Sequence, residues 1–328
     1  MPRRIVNRCI AVLLFLVCIV LSGCTEAEPE DAPVEKEPVT EVLQQHSGPG
    51  RIGLVVADDL SAGLESQRTK IEEISRDTVT SCITYTPWYR TSRLIYHAGG
   101  SVSGMEYTNS KEAVELTLSR GNRLLEIDFL FTSDGHLVCL HEWKNFYGMA
   151  SACTLEQFLS LRIFENFTTI SAAQLISYMR QYPDMYIIVD TKESDTVSVV
   201  AELLRLCSYD AEIADRFVIQ LYDAGIKAKV CELYGFRNDN FLFTAYNFGP
   251  SRISEILELC REEEIRVITV PYGAWDNETV ARFAAEGYLI FEHTVNFTKM
   301  TKSSLARGVY GFYTDFLRES DLGLPEEA

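Results

Sequence analysis

Basic residues are scarce in this sequence: 30 Lys and Arg stand against 47 Asp and Glu, giving 328 residues a formal net charge of -17. Nucleic-acid binding needs clustered Lys and Arg, so the balance argues against it, and it offers no attraction to anionic lipid either. Metal-thiolate motifs are absent too. None of the nine cysteines belongs to a C-x-x-C pair, which speaks against a zinc site. Long apolar runs are missing as well, since Cys9 to Leu21 spans only about a dozen residues where a membrane-crossing helix needs about 20. What is abundant is apolar content, 47% of residues, enough to exclude wholesale disorder, and the length suits one domain of about 250 residues beside a tail as well as two smaller domains.

The N-terminus has an export pattern. Arg3, Arg4 and Arg8 precede the apolar run, and Leu21-Ser22-Gly23-Cys24 closes it. That is the layout of a secretory signal peptide over 1–23, and its ending looks like the lipobox of bacterial lipoproteins, in which Cys24 is lipidated. The expected location is the cell envelope, lipid-anchored to the membrane and facing outside the cytoplasm. Thr25 to Gly50 is rich in Glu and Pro, so 24–50 reads as a solvated tether. Loss of 1–23 removes three arginines and no acid, moving the charge from -17 to -20. Attachment therefore falls to the lipid on Cys24, with more than one acyl chain for firm binding. Cys82, Cys139, Cys153, Cys207, Cys231 and Cys260 are spread singly and read mostly as small core residues. Residues 51–92 form an extension with a helix expected around Ser66–Ser75.

From 93 to 328 short β-branched and aromatic runs alternate with amphipathic stretches. Strands are expected at Leu94–His97, Leu124–Leu130, Met185–Asp190, Phe217–Leu221, Phe241–Tyr246, Val267–Val270, Tyr288–His293 and Tyr310–Thr314. Helices are expected at Lys111–Arg120, Ala172–Gln181, Val197–Leu206, Ala224–Leu233, Ser251–Glu264, Glu278–Glu286 and Met300–Arg307, with start signals at Asn109-Ser110 and at Asn277 with Thr279. Eight strands separated by helices indicate an α/β TIM (β/α)8 barrel, with a doubly wound open sheet as the alternative. Thr132-Ser133-Asp134-Gly135 forms a turn and Leu137–Leu140 a returning strand, a small β-hairpin inserted after strand 2. Trp143–Thr169 fits neither periodicity and reads as a loop insertion.

In such a barrel the strand C-termini form the active-site face. His97 then ends strand one, Glu126 and Asp128 lie near the end of strand two, Asp190 ends strand three, Lys192 follows it, and His141 arrives from the hairpin. Leu125, Ile127, Phe129 and Phe131 share the face that meets the helices, which sends Glu126 and Asp128 inward. Taken singly each residue has a plain explanation: a surface E-x-D, a core histidine, a solvated lysine, a helix-capping Asp190. Together they form an all-oxygen set suited to Mg²⁺ or Ca²⁺, flanked by two histidines able to accept and donate a proton, with a lysine for phosphate oxygens. That chemistry is displacement at phosphorus.

These residues resemble the glycerophosphodiester phosphodiesterase family. The resemblance rests on His97-Ala98-Gly99-Gly100, Tyr107-Thr108-Asn109-Ser110, Glu126-Ile127-Asp128, Thr132-Ser133-Asp134-Gly135, Leu137-Val138 and His141-Glu142. It continues through Asp190-Thr191-Lys192, Thr294-Val295-Asn296 and Gly308-Val309-Tyr310-Gly311-Phe312-Tyr313-Thr314-Asp315, in the family's order from Arg93 to Phe316. It implies a TIM barrel, a metal held by Glu126, Asp128 and Asp190, and catalysis by His97 and His141. Departures are plain. The family's His-Arg-Gly is His97-Ala98-Gly99, its Pro-Glu-Asn-Thr is Tyr107-Thr108-Asn109-Ser110, and its usual Trp before Thr-Val-Asn is His293. Its Glu-x-Lys is Asp190-Thr191-Lys192, similar to the Asp-x-Lys of sphingomyelinase D enzymes. The resemblance implies a metal-dependent phosphodiester hydrolase acting on glycerophosphodiesters or related phospholipid headgroups. The alternatives are a phospholipase C or D-like enzyme on intact lipid, for which Trp143–Met149 is the candidate membrane loop, and a non-catalytic lipoprotein that binds a phosphorylated ligand.

Overall fold

A computed structural model describes residues 85–144, 148–246, 248 and 252–324. The signal peptide, tether, Cys82 and Ser66–Ser75 helix expected from sequence lie outside the described residues, as does part of Trp143–Met149. Among the described residues there are eleven strands: β1 Leu94–Tyr96, β2 Leu124–Phe131, β3 Leu137–Cys139, β4 Arg162–Ile163, β5 Phe167–Thr168, β6 Tyr186–Thr191, β7 Phe217–Leu221, β8 Phe241–Thr244, β9 Val267–Pro271, β10 Leu289–His293 and β11 Gly311–Thr314. Parallel pairing runs β1-β2-β6-β7-β8-β9-β10-β11, and β1 pairs with both β11 and β2, which closes an eight-stranded barrel. The open-sheet alternative is thereby excluded.

Closure follows from two apolar surfaces on the same strands. Outward residues such as Leu125, Ile127 and Phe129 pack under the helices. Inward residues at the strand starts, Ile95, Leu124, Ile188, Val218, Leu242, Val267 and Phe291, form an apolar plug. Below it lies Trp88, fully buried in the short 3-10 turn Trp88–Arg90, its indole N–H donated to the Asp239 carbonyl at 2.6 Å. Gly311 sits where a Cβ would collide with the Phe291 ring and the Arg93 carbonyl, so a side chain there would force the barrel wall apart.

The helices start where capping chemistry places them. Ser110 accepts from the Ala113 N–H before the helix Lys111–Ser119, and Ser171 makes a reciprocal capping box with Gln174 before Ala172–Gln181. The cap near residue 277 is one residue earlier than expected: Asp276 accepts from the Thr279 N–H, and Asn277 is the first helical residue. Arg216 closes the other end of Ala172–Gln181, donating to the carbonyls of Met179, Tyr182 and Met185 at 2.8 to 3.0 Å. Ala224–Leu233 is split into a 3-10 turn, Ala224–Ile226, and a helix, Lys227–Leu233.

The hairpin is present. β2 and β3 pair antiparallel, Phe129 opposite Cys139 and Phe131 opposite Leu137, around a turn in which Gly135 has φ 78°. Trp143–Thr169 is more ordered than a loop, holding the helix Leu155–Ser160 and the two-residue β4–β5 hairpin. These pieces are too short to show a period in sequence. Cys139, Cys207 and Cys260 are buried, Cys153 and Cys231 partly so, and all five are free thiols.

Candidate active site

The polar cluster stands above the plug, where inward residues lie two positions further along their strands, or four in the case of Asp128. Glu126 and Asp128 follow Leu124, Asp190 follows Ile188, Gln220 follows Val218, Thr244 follows Leu242, Thr269 follows Val267 and His293 follows Phe291. Nearly all of them, with His97, Tyr107, His141 and Lys192, line one narrow cavity of about 70 Å³ at the barrel mouth. The expected site residues are thus brought together. His97 is in the 3-10 turn His97–Gly99 just past β1 rather than in the strand itself.

Each acid is oriented by its own partners. Glu126 Oε2 accepts the Ala98 N–H at 2.7 Å, and Ala98 reaches that position with a left-handed φ of 49°. Asp128 Oδ2 accepts from Asn109 Nδ2 at 2.7 Å, while the Asn109 carbonyl oxygen Oδ1 takes the Asp128 backbone N–H at 3.0 Å. The Lys192 ammonium lies 2.9 Å from Asp128 Oδ1 and 2.7 Å from Asp190 Oδ2. The Tyr222 hydroxyl donates to both Asp190 oxygens at 3.0 Å.

Electrostatics separates the three acids. Burial and the adjacent Asp128 push Glu126 well above the ordinary carboxylate range. Burial alone would raise Asp128 also, but Lys192, His141, His97 and the Asn109 bond outweigh it and hold it below its ordinary value. Burial raises Asp190 against the pull of Lys192. Lys192 itself is raised: burial disfavours its charge, and Asp128 and Asp190 more than offset that.

A divalent cation would offset the mutual repulsion of three buried acids. Glu126 Oε1 is buried with no hydrogen-bond partner. One oxygen from each of Glu126, Asp128 and Asp190 lies within 4.8 Å of the others. Three converging carboxylate oxygens, one of them orphaned, fit a hard oxygen-seeking ion, so the triad can hold a metal.

The histidines differ. His97 Nδ1 is 3.0 Å from Asp315 Oδ1. Burial would lower its pKa, but the Asp315 bond and the charges of Glu126, Asp315 and Asp128 lift it to about 9. His141 Nδ1 lies 3.6 Å from a Glu142 oxygen. Tyr107 packs edge-on against both rings, with centroids 4.3 Å from His97 and 5.4 Å from His141. His293, at the position of the family's Trp, also faces the cavity. Its Nδ1 pairs with the Tyr246 hydroxyl at 3.0 Å, and burial with the charges of His97 and Lys192 lowers its pKa to about 4. Asn109 appears in sequence as a helix-start signal, and Asp315 only as the end of a motif; their contacts to Asp128 and His97 depend on barrel closure. Tyr222 and Tyr246 carry no motif.

No family sequence profile matches this chain. No curated protein sequence matches it either. Solved structures do match. A phosphodiesterase from Oleispira antarctica, in complex with the product sn-glycerol-3-phosphate, is similar with TM-score 0.59 at 15% identity, over 72% of this chain and 97% of that one. A glycerophosphodiester phosphodiesterase from Parabacteroides distasonis gives 0.54 at 17%, over 68% and 92%. One from Thermotoga maritima gives 0.53 at 18%, over 68% and 94%. The fold is theirs. At these identities the likeness shows the barrel and its closure, and the chemistry is argued from the side chains above.

Proposed function

We propose that this chain is a metal-dependent phosphodiesterase of the glycerophosphodiester phosphodiesterase family, hydrolysing a glycerophosphodiester or a related phospholipid headgroup. The observation that carries this reading is the buried triad Glu126, Asp128 and Asp190, framed at one cavity by His97, His141 and Lys192. The phosphomonoester named as product of the Oleispira antarctica neighbour supports a phosphodiester substrate.

Glu126, Asp128 and Asp190 would hold Mg²⁺ or Ca²⁺, which when bound supplies Lewis acidity toward a phosphoryl oxygen and a nearby hydroxyl. The chain's own residues do the rest. Asp315 ties down His97 Nδ1 and leaves Nε2 for proton exchange. His97 and His141 act as a pair, one taking the proton of the attacking hydroxyl and the other protonating the leaving alkoxide. Tyr107, wedged against both rings, limits their rotation. Lys192 balances the charge of Asp128 and Asp190 and is the cation at hand for a phosphate oxygen.

A second reading, an enzyme working on intact lipid, is favoured by exposed aromatics. Tyr107, Tyr222, Tyr246, Tyr272, Phe297 and Phe316 are all exposed and all follow barrel strands at the mouth. Lipidation at Cys24 and residence in the cell envelope belong to the same proposal. Among the described residues no helix is long and apolar enough to cross a membrane. Cys24→Ser should move the protein from the membrane fraction to the soluble fraction; equal partitioning of the two would refute lipid anchoring.

The deciding experiment strips the full chain with chelator, restores Mg²⁺ or Ca²⁺, and assays a panel of glycerophosphodiesters and intact phospholipids beside His141→Ala. Metal-dependent release of a phosphomonoester or free headgroup, lost in the variant, is expected. A folded protein that binds metal and phosphodiester without turnover would overturn the enzyme and leave the non-catalytic binder.

A further inference from the structure

Polar inward residues continue beyond the acids, onto β7 and β11. The Tyr313 hydroxyl donates to Gln220 Oε1 at 2.8 Å. Gln220 Nε2 donates to the Tyr222 hydroxyl oxygen at 2.9 Å. Tyr222 in turn donates to Asp190 Oδ1 and Oδ2, both at 3.0 Å. Since β7 and β11 are not neighbours in the barrel, this relay bridges its interior and ends on β6.

Every donor in the relay points the same way, and the carboxylate forces that direction. If the Gln220 amide were turned over, Tyr222 would donate to Gln220 and set its own lone pairs against the Asp190 oxygens. The chain of bonds therefore ends on an oxygen pair that only accepts. Without it, Asp190 would keep one partner, Lys192, at 2.7 Å, and a short carboxylate held by one flexible ammonium can swing about its last torsion.

We infer that Tyr222, itself held by Gln220 and Tyr313, is a positioning residue that locks the Asp190 carboxylate in the orientation closing a three-oxygen cation site with Glu126 and Asp128. The inference rests on the metal-dependent reading above. It assigns to β7, a strand with no metal ligand of its own, a part in the affinity of the site. Partners of ligating groups usually tune affinity by about 10- to 100-fold.

The test is calorimetric titration of Mg²⁺ and of Ca²⁺ into the chelator-stripped full chain, wild type beside Tyr222→Phe and Gln220→Met. Tyr222→Phe should raise the Kd about 10- to 100-fold. Gln220→Met, which leaves Tyr222 in place but unanchored, should raise it less and in the same direction. The melting midpoint of the stripped protein is recorded for each, because a purely structural role would move that midpoint and leave the Kd alone. An unmoved Kd in both variants overturns the inference, whatever the midpoint does. Should Tyr222→Phe fail to fold, Gln220→Met carries the test. Uptake of neither ion by the wild type would sink the proposed function, and this inference with it, a failure read before any variant is made.

Discussion

The floor and the mouth of this barrel are made by the same strands, two residues apart. Ile188 is in the apolar plug and Asp190 in the acid triad. Val218 and Gln220, Leu242 and Thr244, Val267 and Thr269, and Phe291 and His293 repeat the step. Side chains two apart on a strand share a face, so the barrel turns a short sequence step into a change of layer. The lower layer removes apolar area from water and fixes strand spacing. The upper layer keeps acids and unpaired oxygens in a confined space, which costs stability and makes a cation or phosphate welcome.

If that division is right, substitutions in the two layers separate stability from chemistry. The largest effect belongs to the mouth: His97→Ala or His141→Ala should lower kcat for phosphodiester cleavage by about 10² to 10⁴, with urea unfolding close to wild type for the partly exposed His141 and weakened for His97, whose loss leaves buried Asp315 without its partner. The next belongs to the floor. Trp88→Ala should cost about 3–5 kcal/mol in urea unfolding while kcat per folded molecule is retained. Ile188→Val, a single methylene in the plug, should cost about 0.5–1.5 kcal/mol on the same measurement. Loss of kcat in either floor variant at matched folded concentration would break the division.

The remaining effect is a pH slope, visible only below neutral pH. His293 has its pKa lowered to about 4 in the folded chain, against about 6.5 when unfolded. Between these values the unfolded chain binds a proton that the folded one does not, so stability falls as pH drops from about 6.5 toward about 4. Above about 6.5 the group is neutral in both states and contributes no slope. His293→Gln should flatten urea-unfolding free energy across that window in chelator. A slope equal to wild type would show that His293 does not titrate as its surroundings demand.

The fold was legible because the strands are strong signals. All eight barrel strands lie where β-branched and aromatic runs place them, with ends shifted by a residue or two, as for β8, which stops at Thr244 rather than Tyr246. The inward turn of Glu126 and Asp128 also follows from alternation alone, since the other face of β2 is apolar throughout. What could not be read are contacts made only by closure. Asp315 reaches His97 across the β1–β11 seam, 218 positions apart in sequence, and Gln220 and Tyr222 matter only because β7 lies beside β6. Sequence does not single out the Asp276 cap, because Asp276 and Asn277 are both good caps and only geometry chooses between them. Lys192 stands near the acids as expected, but its ammonium is engaged with two carboxylates, a charge balance no linear motif displays.

The most direct test of the account compares two neighbours on β6: kcat/KM for metal-restored phosphodiester cleavage by Asp190→Asn and by Ile188→Val, per folded molecule. The account predicts that Ile188→Val keeps wild-type turnover and that Asp190→Asn, still folded, loses it along with metal uptake. Wild-type turnover by Asp190→Asn would contradict the acid triad as the centre of the chemistry.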